Sequence, residues 1–176
     1  MEFTIAKQEH FAALCAITEE AKRQLKGLGL DQWQKGYPSP EVWQSDIEKG
    51  ITWVAVENGE VLGGFMFSTE PDLSYAKIDG AWRTDGPYAS FHRVCVANAA
   101  KGRGVAGALF AHGFALAKAA GMPAVRIDTH GGNAPMKRAL EKAGFTPCGE
   151  IILVGGCEDG DPRDADELVL NKLPVP

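Results

Sequence analysis

The fold of this chain is decided by one stretch, residues 90–107, which reads SFHRVCVANAAKGRGVAG. The apolar run at 91–96 predicts a buried strand. Strict alternation would divide its side chains between two faces: Phe91, Arg93 and Cys95 on one, and His92, Val94 and Val96 on the other. A basic, glycine-rich loop at 101–107 follows, and an alanine-rich helix at 105–120 leaves it. Such a loop offers free backbone amides, a helix dipole and two cations, so it predicts a phosphate-binding site.

The loop alone does not determine which phosphate-containing ligand it would bind. The glycines Gly102, Gly104 and Gly107 match the dinucleotide-binding fingerprint, and Asp128 lies at about the right distance for an acid that binds ribose. Residues 97–101, however, separate the strand from the first glycine, whereas the dinucleotide motif turns tightly off its strand. No second mononucleotide-binding half follows. A dinucleotide oxidoreductase is therefore the weaker interpretation of the loop.

A second pattern fits the same loop. It consists of a basic residue, two residues, a glycine, one residue and then glycine or alanine, and Lys101, Gly104 and Ala106 meet it. A strand follows the helix, and a second helix starts at Asn133 and ends in the sequence EKAGF at 141–145. With these two linked motifs, and by element order over nearly its whole length, the chain resembles the GNAT superfamily of acetyl-CoA-dependent N-acetyltransferases.

The resemblance implies where acetyl-CoA binds. The pyrophosphate would lie on the backbone of Gly102, Arg103, Gly104, Val105, Ala106 and Gly107. The pantetheine arm would meet backbone groups of Val94, Cys95 and Val96. In the family this strand splays from the one that corresponds to 123–129, and the acyl chain lies in the gap. Asn133 would contact the cofactor in addition to capping its helix.

The rest of the chain supports a single acetyltransferase domain that spans residues 1–176. Its patterns predict a strand at 3–5, helices at 9–26 and 40–49, a hairpin of strands at 51–56 and 60–68, and strands at 145–154 and 165–170. The glycine, aspartate, glutamate and proline residues at 155–163 predict a solvated turn region between the last two strands. A polar excursion at 69–87 interrupts this order, and excursions of such length are often functional. Together these elements predict an α/β fold of the GNAT type. Its mixed, mostly antiparallel sheet would have splayed central strands and helices on both faces.

The composition limits the classes of binding partner that we expect. The formal net charge of −5 lacks the basic excess of most nucleic-acid-binding proteins. No secretory signal and no apolar run of membrane-spanning length is visible, so we expect a cytoplasmic protein without a membrane partner. The four cysteines, Cys15, Cys95, Cys148 and Cys157, show neither CxxC pairing nor zinc spacing, which predicts reduced thiols and no metal site. A homodimer is possible.

Two residues are candidates for the chemistry. Acetyl transfer to an amine needs a base for the ammonium group and an acid for the departing thiolate. Asp128 lies five residues before Asn133, where some relatives carry an acidic base; the alternative is a carboxylate that caps a turn. His92 precedes the pantetheine-binding segment, and histidine titrates nearest neutral pH, although a structural histidine is the alternative. Relatives often place a tyrosine acid at the position of Leu140, so the chain departs from the pattern there.

The acceptor is the least defined part. Trp33, Tyr37 and Trp82 lie in irregular segments that could wall an acceptor pocket for an apolar or cationic amine. Anchoring of loops to the core is the alternative role for each. Since no nucleophile is placed for a covalent intermediate, we expect direct attack in a ternary complex of enzyme, acetyl-CoA and an unidentified amine. A non-catalytic CoA-binding or sensory module is the competing hypothesis, supported by Leu140.

Overall fold

The computed structural model describes residues 1–170 and shows one eight-stranded sheet with four helices. The strands are β1 Glu2–Ile5, β2 Thr52–Glu57, β3 Glu60–Ser68, β4 Asp79–Gly80, β5 Ala89–Val96, β6 Ala124–Thr129, β7 Thr146–Ile152 and β8 Pro162–Val169. The helices are α1 Gln8–Gly27, α2 Pro40–Glu48, α3 Val105–Ala119 and α4 Ala134–Ala143. The strand order is β1-β2-β3-β5-β6-β8-β7-β4, and among these described strands β5 and β6 form the one parallel pair. The predicted mixed, mostly antiparallel sheet is confirmed.

Helices α1 and α2 cover one face of the sheet. Their apolar residues recur at helical spacing, so Leu14 of α1 and Trp43 of α2 enter one core cluster with Val54 and Cys95 from the sheet. The Trp43 indole donates a hydrogen bond to Thr18 Oγ1 at 2.8 Å, which joins the two helices. None of the four helices in residues 1–170 has the length and apolar character that crossing a membrane requires.

Helices α3 and α4 cover the opposite face. Phe91 of β5 packs against Phe110 and Phe114 of α3, with ring centroids 6.3 and 5.9 Å apart. Gly113 permits this approach, because a Cβ at that position would lie 2.4 Å from the Phe91 ring. Leu140 of α4 is buried in the same core. The prediction of helices on both faces is therefore confirmed.

Strand β5 carries a bulge at Arg93, whose φ is +56°. The register against β3 shifts at the same place, so two residues of β5 oppose one of β3. Because the extra residue rotates the side chains that follow, the strict alternation expected for this strand is wrong. Phe91 and Val94 face the α3 side, whereas Cys95 faces α1 and Arg93 reaches Asp46 of α2.

Strands β5 and β6 separate soon after they begin. Their parallel pairing joins Ala89 to Val125 and Ser90 to Arg126, at the first residues of both strands. Beyond these pairs, residues 91–96 and 127–129 line a common cavity. The predicted splay of the central strands is confirmed, and it places the cavity in the middle of the sheet.

The excursion between β3 and β5 is held in place by Glu167 of β8. This fully buried carboxylate accepts hydrogen bonds from the backbone of Arg83 and Thr84, from Thr84 Oγ1 and from Arg126 Nε. Strand β8 begins at Pro162, three residues before the predicted start, because 162–164 pair with β7. The glycine- and aspartate-rich composition before it had indicated a solvated turn.

Candidate active site

A cavity of about 530 Å³ opens where β5 and β6 separate. Its walls include the second half of α1, the start of α4 and two loops, at 32–37 and 153–158. The lining includes Lys101 and Ala106, from the loop and first turn that open α3, and also Asp72, His92 and Asp128. One cavity thus connects the glycine-rich loop with the titratable side chains.

The start of α3 is suited to bind an anion. Gly102 and Gly104 have φ of +76° and +77°, a left-handed conformation that favours glycine. The first helical hydrogen bond is donated by the Ala108 amide to the Gly104 carbonyl. The amides of residues 104–107 therefore precede the first intrahelical donor and lack a partner within the helix. Together with the helix dipole, these amides attract a phosphate group.

The two cations beside these amides are held by neighbours. Lys101 Nζ contacts Gln24 Oε1, and Arg103 pairs with Glu57, a contact that lowers the pKa of the Glu57 carboxyl. Five residues of the loop lie outside the cavity lining: Gly102, Arg103, Gly104, Val105 and Gly107. Since Lys101 and Ala106 belong to the lining, the cavity reaches the loop at these two residues.

Strand β5 contributes Val94, Cys95 and Val96 to the cavity wall. These are the residues expected to meet the pantetheine arm. Cys95 Sγ lies 3.9 Å from the Gly64 carbonyl oxygen, and burial raises the pKa of the thiol to about 12. Because the thiolate is the nucleophilic form, Cys95 is unreactive near neutral pH.

Asn133 caps α4 and ties three elements together. Its Oδ1 accepts a hydrogen bond from the Met136 amide at 3.3 Å, as expected for an N-cap. Its Nδ2 donates to Gln32 Oε1 at 3.3 Å and to Thr129 Oγ1 at 3.2 Å. The side chain therefore holds the loop before α2 against β6. A direct contact with the cofactor stays a prediction.

Asp128 lies on the cavity wall near the end of β6. Its Oδ2 accepts a hydrogen bond from the Tyr75 hydroxyl at 2.7 Å, and within residues 1–170 its Oδ1 has no hydrogen-bond partner. Burial raises the pKa of the Asp128 carboxyl, although the charge of His92 and the Tyr75 hydrogen bond act in the opposite direction. Burial and the Asp128 charge also keep the pKa of Tyr75 well above its ordinary value. A carboxyl with a raised pKa is better matched to proton transfer near neutral pH.

His92 lies on the same wall and is held by a carboxylate. Asp72 Oδ2 is 3.1 Å from His92 Nε2, and the Tyr75 ring stacks on the imidazole with centroids 6.1 Å apart. Burial raises the pKa of the Asp72 carboxyl, but its contacts with His92 and with the Ser74 amide outweigh burial and lower it. A carboxylate that binds one imidazole nitrogen leaves the other free to accept a proton.

The structure brings two of the three predicted aromatic residues to the cavity. Trp33 and Tyr37 belong to its lining, whereas Trp82 does not. The Trp82 ring covers the Arg126 guanidinium at 4.2 Å, and its Nε1 donates to the Tyr75 carbonyl at 3.1 Å. Trp82 thus packs behind the wall and supports Tyr75, a placement that argues against the predicted contact with an acceptor.

Sequence reasoning missed a buried ion pair in the cavity wall. Arg163 Nη2 lies 3.2 Å from Glu158 Oε1, close enough for an ion pair but without the alignment of a hydrogen bond. The same Glu158 oxygen accepts a hydrogen bond from the Trp33 amide at 2.6 Å. Residues 155–163 had indicated a solvated turn, and no local signal distinguishes a buried glutamate there. Among the described residues, no cluster of His, Cys, Asp and Glu is arranged to hold a metal ion.

A second buried pair lies beside Tyr37. Arg93 Nη1 donates to the Tyr37 hydroxyl at 2.6 Å, and Arg93 Nη2 contacts Asp46. Burial raises the pKa of the Tyr37 hydroxyl, although the neighbouring Arg93 lowers it in part. The pair fixes the bulge of β5 to α2 and to the loop that carries Trp33 and Tyr37.

Comparisons with known proteins agree with this architecture. A sheet whose central strands splay around a cavity is the architecture expected of an acetyltransferase fold, and the model of the acetyltransferase (GNAT) family matches residues 14–145. The chain belongs to the GNAT family. The resemblance inferred from the glycine-rich loop and the Asn133 helix is thus confirmed, and the dinucleotide interpretation is excluded. No curated protein sequence matches the chain.

Solved structures extend the agreement over nearly the whole chain. A GNAT acetyltransferase from Streptococcus agalactiae is 31% identical, with a TM-score of 0.83 over 96% of this chain and 94% of that one. The fold is shared with yncA of Salmonella typhimurium, solved with its cofactor acetyl-CoA, at 20% identity and a TM-score of 0.68 over 100% and 97% of the two chains. A ribosomal-protein-alanine N-acetyltransferase from Brucella melitensis gives 19% identity and a TM-score of 0.68 over 96% and 99%. These solved structures therefore share the fold of this chain over nearly its full length.

Proposed function

We propose that the protein is an acetyl-CoA-dependent N-acetyltransferase that acts on an amine by direct transfer while both substrates are bound. One observation carries the proposal. A single cavity joins the anion-binding start of α3, through the gap between β5 and β6, to the carboxyl and imidazole groups of Asp128 and His92. An activated acyl donor held by its phosphates at one end would present its thioester to an amine at the other.

The residues present fit acetyl-CoA. The free amides of 104–107 suit the pyrophosphate, and the apolar wall formed by Val94, Val96, Met136 and Ala139 suits the pantetheine arm. When bound, acetyl-CoA supplies an activated acetyl group and a thiolate leaving group. The chain itself supplies binding, orientation and the handling of protons.

Asp128 is our candidate for the base. Its free Oδ1 would take a proton from the acceptor ammonium, while Tyr75 holds Oδ2 in place. His92, oriented by Asp72, would relay that proton or take it directly. The free amine then attacks the thioester carbonyl. Cys95 is unsuited to an acyl-enzyme intermediate because its pKa is about 12, which supports transfer in one step.

The side chain at position 140 cannot protonate the departing thiolate, so another group must do so. Leu140 is buried in the core between α3 and α4 and has no proton to give. Tyr37 lines the cavity, and its hydroxyl is protonated at neutral pH, since tyrosine ordinarily titrates at about pH 10 and burial raises the pKa of this hydroxyl further. Since its hydroxyl oxygen accepts from Arg93, its own proton remains free to donate. We infer that Tyr37→Phe lowers kcat without changing the affinity for acetyl-CoA.

Acetyl-CoA binding is tested by calorimetry on Gly104→Glu. A carboxylate at the start of α3 would repel the pyrophosphate, and we expect the affinity to fall at least about tenfold. Gly121→Glu is a matched control, since Gly121 has φ +72° and equally open surroundings but lies beyond the other end of α3. If both variants bind acetyl-CoA with equal affinity, the assignment of this loop as the pyrophosphate site is wrong.

Turnover is tested by thiol release with a panel of amines and peptides. Asp128→Asn is expected to lower kcat by about 10²-fold or more, and His92→Ala by less, with acetyl-CoA affinity retained. Cys157→Ser should keep its activity, because direct transfer needs no exposed thiol at the cavity wall. Tight acetyl-CoA binding without turnover on any acceptor would instead indicate a CoA-binding module.

The free cysteines suit a reducing compartment, so the cytoplasm is the proposed location.

A further inference from the structure

Large apolar side chains are exposed beside the cavity at Leu73 and Val154, and Ile152, the last residue of β7, is exposed two residues before Val154. Within residues 1–170 six such side chains are exposed, and Leu73, Ile152 and Val154 make up half of them, at 76%, 49% and 55%. The Val154 amide donates a hydrogen bond to Ser74 Oγ at 3.0 Å, which joins the 3₁₀ turn at Leu73–Tyr75 to the segment that follows β7. We call these three residues the apolar collar.

The apolar collar is continuous with the cavity. Val154 belongs to the cavity lining, and Leu73 lies in the chain between Asp72 and Ser74, which both line the cavity. The turn that exposes Leu73 is fixed by Asp72, whose Oδ1 accepts a hydrogen bond from the Ser74 amide at 2.8 Å. The exposed apolar surface therefore adjoins the part of the cavity wall that carries Asp72.

The rest of the collar's surroundings point to a ligand rather than to core packing. Ile151, the neighbour of Ile152 on β7, is fully buried, so β7 already supplies its share of the core. Exposed apolar surface at the rim of a pocket is typical of a ligand-binding groove. The interior beside it carries Asp72 and Asp128, which attract a cation.

We propose that the apolar collar is an acceptor subsite, and that the acceptor is a small amine with an alkyl or aryl tail. The ammonium group would lie at Asp128 and His92, and the tail would leave the cavity across Leu73 and Val154. This proposal rests on the proposed function for the position of the amine. It adds the class of acceptor: an amphipathic amine rather than a short or polycationic one.

The test measures both binding and turnover with propylamine and octylamine. Binding is followed by calorimetry on protein saturated with CoA, and turnover by thiol release with acetyl-CoA. Burial of the added methylenes should make octylamine at least about tenfold better than propylamine. In the double variant Leu73→Ser, Val154→Ser, this ratio should fall to about twofold or less. Ile5→Ser is the control, because Ile5 is similarly exposed, at 42%, but lies on β1 at the other edge of the sheet.

The outcomes separate the two proposals. If the natural protein prefers octylamine over propylamine by a ratio near one, the proposal of an acceptor subsite is overturned. It is also overturned if the double variant retains a high ratio. If octylamine binds with the expected ratio but is not acetylated, the collar stands and the proposed transfer to such amines fails. Sedimentation measured at the assay concentration tests whether a second copy of the chain, rather than an amine, covers the collar. A dimer that the double variant converts to monomer would overturn the subsite.

Discussion

Arg93 offers the sharpest test of how the site is held together. Its side chain is 9% exposed and its partner Asp46 is 7% exposed, so solvent screens their ion pair little. The guanidinium also donates to the Tyr37 hydroxyl. Arg93→Met keeps much of the volume but leaves the Asp46 carboxylate buried without a cation. Breaking a buried pair in this way costs about 3–5 kcal/mol.

The assay is urea denaturation at pH 7, followed by tryptophan fluorescence. We expect Arg93→Met and Asp46→Leu each to lose about 3–5 kcal/mol of unfolding free energy. The double variant should lose much less than their sum, since apolar side chains of similar volume can replace a buried pair at little cost. Arg103→Met is the control: its pair with Glu57 lies at the solvent-exposed surface, so little or no loss of unfolding free energy is expected.

A result that would refute this reasoning is a loss below about 1 kcal/mol for Arg93→Met, or additive losses in the double variant. The pair would then contribute no more than a surface contact. Because Arg93 also forms the bulge of β5, acetyl-CoA affinity should weaken in Arg93→Met and recover only in part in the double variant. Calorimetry on the same samples measures this.

Three further predictions concern stability. Burial raises the pKa of the Asp166 carboxyl to about 6, so the native state binds this proton more tightly than the unfolded chain does and loses the resulting stability as pH rises through 6. Asp166→Asn removes the buried carboxylate and should therefore be on the order of 1–2 kcal/mol more stable than the natural protein at pH 8, with little gain near pH 4. Urea denaturation at both pH values measures the difference. Glu167→Gln should cost about 3–5 kcal/mol, because it leaves Arg126 buried without its anion, and a loss below 1 kcal/mol by the same method would contradict this. Gly113→Ala should cost about 1–3 kcal/mol in thermal unfolding, since its Cβ would collide with the Phe91 ring.

Much of the fold was readable because its signals are local. Asn58 and Gly59 have φ of +52° and +82°, the conformation of the predicted hairpin turn. Asn133 caps α4, and Gly144 ends it with φ +95°. The bulge at Arg93 was not readable, because an arginine with positive φ is stabilised by Asp46 and Tyr37, which are distant in sequence.

The sequence by itself determined the family and indicated the place of the proposed anion site. Gly102, Gly104 and the helix they open act through backbone conformation and unpaired amides, which depend on nearest neighbours alone. The tertiary structure decided the rest of the site. It brought Asp72 and Tyr75 to His92 and Asp128, moved Trp82 behind the wall, and buried Glu158 within a segment of polar composition. The physical reason is that most of these side chains are held by residues distant in the chain: 53 positions separate Tyr75 from Asp128, and 125 separate Trp33 from Glu158. Their environment therefore exists only after the sheet has formed.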